Sequence, residues 1–126
     1  MTEQKLNILI VDDDASVGQV LKAGLERHGF TVRYEARSTD TIKACLEFHP
    51  ALVLLDVDMP VKDGGLVAAE LRSHPTLRRT PVIFLTALAS KAEAANVSRD
   101  IILSKSNSMA ELVTRIRAVL QPQTPP

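Results

Sequence analysis

The sequence predicts an α/β fold: a single domain built on a five-stranded parallel sheet with helices on both faces. Three observations predict it. Short, continuously apolar runs recur four times along the chain, with a mixed strand candidate at 31–36 as a fifth, and the apolar runs suit strands buried on both faces of a parallel sheet. Each run is followed by a stretch of helical periodicity, and strand–helix alternation with right-handed crossovers leaves little but a sheet covered on each side. At 126 residues the chain has one domain's length, enough to bury roughly two-thirds of its unfolded surface.

The elements follow in order. Asn-Ile-Leu-Ile-Val at 7–11 is the first strand, stopped by Asp12, Asp13 and Asp14. Asp14 can cap the helix that follows, whose inner positions are Val17, Val20, Leu21, Gly24, Leu25 and His28, with Gly29 ending it. Residues 31–36 form the second strand. Residues 38–48 form the second helix, with Ile42, Cys45, Leu46 and Phe48 inward and Pro50 closing it. The third strand, 52–55, ends at Asp56. Met59-Pro60 through Asp63-Gly64 is turn chemistry, and 65–73 returns to helix through Val67, Ala68 and Leu71. The fourth strand, 81–85, ends at Thr86. A short helix is expected at 89–95, broken by Asn96-Val97-Ser98, so the fourth helix is short or irregular. Residues 101–103 form a short fifth strand leading to Ser104 and Lys105. Met109, Leu112, Val113, Ile116 and Leu120 trace one face of the last helix. The domain is expected to span 1–126, with its core at about 5–121 and with 122–126 as a mobile tail or the start of a linker.

Bulk composition excludes several functions. Fifteen basic residues balance fifteen acidic ones, so no basic excess exists to displace counterions from nucleic-acid phosphates. Aromatic content is 3% with no tryptophan, which argues against a stacking platform for bases. The single cysteine, Cys45, excludes an intrachain disulfide and fits a reducing compartment. The N-terminus has no signal organisation and no window reaches the roughly 18 apolar residues of a membrane span. A cytoplasmic protein with no membrane partner is expected.

The informative pattern is which residue ends each strand: Asp12 and Asp13, then Asp56, Thr86 and Lys105. Ligands of open parallel sheets bind at the carboxyl ends of strands, where the strand order reverses. With the order 2-1-3-4-5, taken by analogy from flavodoxin-like sheets, that crevice lies between strands one and three, which carry the carboxylates. Three carboxylates there repel one another, each pair by roughly 3 kcal/mol at ~5 Å and an effective dielectric of about 20. Hard oxygen donors without His or Cys point to Mg²⁺, with Mn²⁺ as the alternative. A carboxylate nucleophile, a divalent metal, an ammonium and a hydroxyl are the parts for phosphoryl transfer to an aspartate.

These residues carry a resemblance. Ile-Leu-Ile-Val-Asp-Asp-Asp (8–14), Leu-Val-Leu-Leu-Asp-Val-Asp-Met-Pro-Val-Lys-Asp-Gly (52–64), Pro-Val-Ile-Phe-Leu-Thr-Ala (81–87) and Leu-Ser-Lys (103–105) resemble the response-regulator receiver domain of two-component signalling, over roughly residues 5–121. The resemblance implies a phosphorylation-gated switch of a phosphorelay, catalysing only its own aspartyl phosphorylation and dephosphorylation. Asp56 is then the phosphoacceptor, charged by a phosphohistidine on a sensor histidine kinase or a histidine phosphotransfer protein. Asp13 ligates Mg²⁺ directly, Asp12 largely through water, and Asp56 and the backbone carbonyl of Asp58 complete the protein's ligands. Thr86 hydrogen-bonds the phosphoryl group, Lys105 pairs with it, and small Ala87 leaves the donor room. The downstream output stays open, and the family offers a homodimer through the fourth helix, fifth strand and last helix.

The chain also departs from that pattern. Ser106 follows Lys105 where the family has a proline behind a cis bond. A cis bond before a non-proline residue costs about 2.5–4 kcal/mol, so a trans Lys105–Ser106 bond is expected. Ile102 replaces the family's aromatic and has neither ring nor hydroxyl, so readout by another route is expected. The interval from Thr86 to Lys105 is short, and Leu88 cannot orient a water, which predicts slow autodephosphorylation unless Asp58 takes that part. Two alternatives stand beside the switch. A degenerate receiver would serve only as a docking domain. A haloacid-dehalogenase-type phosphatase would also use Asp56-Val57-Asp58, Thr86 and Lys105, but such enzymes place their acidic metal pair after the lysine, whereas here it precedes Asp56.

Overall fold

The computed structural model describes residues 5–86, 101–105 and 108–121. The expected helix at 89–95, Ala87, Leu88, the Ile102 side chain, Ser106 with its bond to Lys105, and the tail at 122–126 lie outside the described residues. Five strands, β1 (Asn7–Val11), β2 (Thr31–Glu35), β3 (Leu52–Asp56), β4 (Val82–Thr86) and β5 (Ile101–Ser104), form one sheet. Its order is β2-β1-β3-β4-β5 and every pairing is parallel. The four described α-helices are α1 (Ala15–Arg27), α2 (Thr41–Phe48), α3 (Gly64–Ser73) and α4 (Met109–Leu120). None of them is long and apolar enough to cross a membrane.

Burial follows the two-sided chemistry of the strands. Every residue of β3 and β4 is buried, as are Ile8 to Val11 of β1, whereas edge strand β2 buries only Val32. Alternate side chains feed two separate cores, as the period-2 geometry of a strand dictates. On one face Ile8, Ile10, Leu52, Leu54, Ile83, Leu85 and Leu103 pack with Leu25 of α1 and Leu112, Val113 and Ile116 of α4. On the other, Leu9, Val11, Val53, Leu55 and Phe84 pack with Ala44 and Cys45 of α2 and Val67, Ala68 and Leu71 of α3. Cys45 is a buried packing residue, and burial pushes its thiol up to about 11, which leaves it unreactive at neutral pH.

The N-termini of α1, α3 and α4 carry side chains that cap their orphaned backbone groups. The Asp14 carboxylate accepts from Ser16 N–H at 3.0 Å, Asp63 accepts from Leu66 N–H at 2.9 Å, and Ser108 accepts from Glu111 N–H at 3.2 Å. Gly29 takes the left-handed backbone after α1, at φ 92°.

Three local expectations shift. The second helix starts as a 3₁₀ turn, Ser38–Asp40, before the α-helix proper. Of the expected inner face of the second helix only Leu46 is exposed: Cys45 is buried beside Thr41 and Ala44, and Ile42 and Phe48 pack half-buried against the same core. In α1, Val20 is exposed while Gly18 is buried, because the helix packs the Gly18 side against the Tyr34 ring. His28 is exposed and serves the helix end: its Nδ1 lies 2.9 Å from Gly24 O, and its carbonyl accepts from Arg117 at 2.9 Å.

Candidate functional site

Strand register assembles the rim. Val11 pairs with Leu55, so the next residues along, Asp12 and Asp56, emerge side by side. Asp56 pairs with Leu85 and Thr86 with Ser104, which brings Thr86 and then Lys105 to the same edge. The Lys105 N–H donates to the Thr86 carbonyl at 2.7 Å and extends that ladder by one residue. Residues far apart in the chain therefore meet because four strands stop at one level.

The three acidic side chains converge. One carboxylate oxygen from each of Asp12, Asp13 and Asp56 lies within 4.8 Å of the other two. Asp12 and Asp56 are buried and Asp13 is exposed, so the cluster has a dry floor and an open mouth. Lys105 Nζ stands 2.8 Å from Asp12 Oδ2 and 3.3 Å from Asp56 Oδ1. Asp56 Oδ1 also accepts from Asp58 N–H at 3.2 Å, and Asp12 Oδ1 accepts from Asp14 N–H at 2.9 Å. Thr86 is buried at the end of β4, and Asp58, on the loop past Asp56, is exposed.

The electrostatics are those of a crowded, half-neutralised site. Burial, and then the Asp12 charge, push the Asp56 carboxyl up from its ordinary 3.8 to about 6 against the pull of Lys105. Burial alone would lower Lys105, but the Asp12 and Asp56 carboxylates outweigh it and hold the ammonium above its usual range. Asp12 Oδ2 is buried, and the one partner it has among the described residues is the Lys105 ammonium at 2.8 Å. A buried carboxylate oxygen with capacity to spare, beside two more hard oxygens, fits a divalent cation of the oxygen-preferring kind.

Two further residues support this rim: Gly64, legible in the sequence only as turn chemistry, and Tyr34. Gly64 opens α3 directly beneath Asp56: a Cβ there would lie 2.5 Å from the Asp56 carbonyl oxygen and 3.1 Å from Val57 Cα. Its N–H donates to the Val57 carbonyl at 3.1 Å. Tyr34, from β2, donates its hydroxyl to the Asp12 carbonyl at 2.6 Å. Being the chain's only tyrosine and sitting on the strand next to β1 was the one hint available for it.

Comparison with known proteins agrees with the geometry. Residues 8–117 match the response regulator receiver domain family. The transcriptional regulatory protein GltR of Pseudomonas aeruginosa is 36% identical over 96% of this chain and 51% of its own length. The transcriptional regulatory protein SrrA of Staphylococcus aureus is 34% identical over 90% of this chain and 47% of its own length. The chain thus spans about half the length of these curated relatives. Among solved structures, the BeF3-activated N-terminal receiver domain of Klebsiella pneumoniae RstA aligns with a TM-score of 0.81 and 28% identity, covering 92% of this chain and 99% of that one. The signal receiver domain of a histidine kinase from Syntrophus aciditrophicus aligns with a TM-score of 0.80 and 25% identity, covering 95% and 96%. The match sets aside the dehalogenase-type phosphatase. With its parallel sheet, its acidic rim and its lysine at the end of the fifth strand, the chain belongs to the response-regulator receiver domains of two-component signalling.

Proposed function

We propose that Asp56 accepts a phosphoryl group from a phosphohistidine on a sensor histidine kinase or a histidine phosphotransfer protein. The observation that supports this best is the convergence of three carboxylates within 4.8 Å, with the Lys105 ammonium against two of them. Asp12, Asp13 and Asp56, with the backbone carbonyl of Asp58, would hold Mg²⁺ or Mn²⁺. When bound, the cation supplies positive charge to the transferring group.

The chain's own groups do the rest. An Asp56 carboxylate oxygen attacks phosphorus in line as the P–N bond to the donor imidazole breaks. The imidazole nitrogen leaves with the bonding pair, and an acyl phosphate remains on Asp56. Lys105, already 3.3 Å from Asp56 Oδ1, offsets negative charge on the phosphoryl oxygens, and the Thr86 hydroxyl donates to one of them. The new dianion at the rim then alters a binding surface, which we place on β5 and α4, where a homodimer would also form. An output domain or protein reads that change.

Incubation with acetyl phosphate and Mg²⁺ tests the reading. Intact-mass spectrometry should show one phosphoryl group per chain, lost on adding EDTA during charging and absent from Asp56→Asn. Continuous turnover of p-nitrophenyl phosphate, or charging that survives in Asp56→Asn, would overturn it.

A further inference from the structure

The metal-binding reading above makes demands on Asp12 that its own side chain cannot meet. A buried carboxylate presents one oxygen to a cation only if its backbone is fixed, and Asp12 is the last residue before the chain leaves the sheet. Three hydrogen bonds fix it. Its N–H donates to the Glu35 carbonyl at 3.2 Å, its Oδ1 accepts from Asp14 N–H at 2.9 Å, and its carbonyl accepts from the Tyr34 hydroxyl at 2.6 Å. Two of these have backbone donors; the third alone depends on a side chain of another strand.

That third bond is the shortest, and it acts on the peptide joining Asp12 to Asp13. The plane of this peptide sets both where the Asp12 side chain starts and the direction in which Asp13 departs. Tyr34 pairs with Ile10 across β1 and β2, and its half-buried ring packs against the α1 face of the core. The ring occupies the space that Gly18 leaves free: a Cβ at Gly18 would stand 2.6 Å from Tyr34 Cδ1 and 2.7 Å from Cζ. Burial, and then the surrounding charges of Asp12, Asp13, Asp14 and Glu35, raise the phenol above its ordinary range, so it stays a donor at physiological pH.

We propose that Tyr34 is a positioning residue for the cation site: its hydroxyl orients the Asp12–Asp13 peptide, seated by Gly18, and so raises the affinity of the acidic cluster for a divalent cation. The inference rests on the metal-binding reading and goes further, by assigning part of the affinity to a residue that touches no cation. Phosphoryl transfer at saturating Mg²⁺ needs no help from it.

The test is Mn²⁺ binding to the full chain, followed by electron paramagnetic resonance, in wild type, Tyr34→Phe and Asp13→Asn. Phe keeps the ring in its slot and removes only the donor. A hydrogen bond of ordinary net strength corresponds to about a three- to tenfold weaker Mn²⁺ affinity in Tyr34→Phe. Acetyl phosphate charging should require proportionally more Mg²⁺ while reaching the wild-type plateau, a split that general loosening of the fold would not produce. An affinity within twofold of wild type, or a lowered plateau at unchanged affinity, overturns the proposal. If wild type binds no Mn²⁺, the metal reading itself falls, whereas an unaffected Tyr34→Phe beside a weakened Asp13→Asn sinks the inference alone. Should Tyr34→Phe not fold, wild type supplies the answer. Tyr34 is the only tyrosine and tryptophan is absent, so the near-ultraviolet phenol band must move as Mg²⁺ is added. A band that stays fixed while Mn²⁺ binds overturns the proposal equally.

Discussion

Lys105 Nζ lies closer to Asp12 than to Asp56: 2.8 Å from Asp12 Oδ2 against 3.3 Å from Asp56 Oδ1. The ammonium therefore serves two carboxylates at once. Its primary contact is with the deepest of them, which is 1% exposed.

Removing this ammonium should destabilise the metal-free protein. Lys105→Met leaves two adjacent buried carboxylates without their described cation, and breaking such pairs is strongly unfavourable. The partial exposure of Lys105 and the ability of Asp56 to take up a proton limit the loss to about 1–3 kcal/mol near pH 7.5 in EDTA. Urea unfolding of the variant should show that loss, and the loss should shrink below pH 5, where Asp56 is neutral.

Asp56 itself should make the metal-free fold less stable as pH rises. Its folded pKa is about 6 against an ordinary 3.8, so between those values the folded state holds more protons than the unfolded one. Stability linked to this group is greatest below about pH 4, falls as pH rises through 6, and stays low above that. Asp56→Asn removes the charge, so it should be about 1–3 kcal/mol more stable than wild type at pH 7.5 in EDTA. Chemical denaturation from pH 4 to 8 checks both statements; a wild-type curve that rises through this window would contradict the sign.

The loop after Asp56 contains a second stabilising opportunity. Val61 has φ 70°, and Lys62 N–H donates to the Pro60 carbonyl across it at 2.7 Å. This is the rare three-residue turn with a positive central φ. A β-branched residue there is strained, and Val61 is 92% exposed, so its side chain gains little packing in return. Val61→Gly relieves the strain but adds freedom to the unfolded chain. The net expectation is about 0.5–1.5 kcal/mol of added stability, read as a higher urea midpoint. A lower midpoint would show that the Val61 side chain does more than its exposure implies.

Much of this architecture is legible because three strands are buried on both faces. Ile8 to Val11, Leu52 to Leu55 and Val82 to Leu85 are runs of apolar residues interrupted only at the rim, so their ends at Asp12, Asp56 and Thr86 mark the site. The helices were harder to read. Val20 and Leu46 fit a helical stripe yet face solvent, since the actual seams are narrow and run through Gly18 and Ala44. Strand order required analogy with known sheets, because periodicity describes an element and not its neighbour. Tyr34 was invisible for a different reason: its partner is a main-chain carbonyl, and every residue has one.

The placement of Lys105 at the tip of β5 has a consequence for synthesis. The only described cation touching the acidic pair arrives with the last of the five described strands to be synthesised. A nascent chain lacking that segment lacks the ammonium that lies against Asp12 and Asp56. The two aspartates therefore stay without this counter-charge until translation has passed the fifth strand, and a product cut short before it should be less stable than the whole domain.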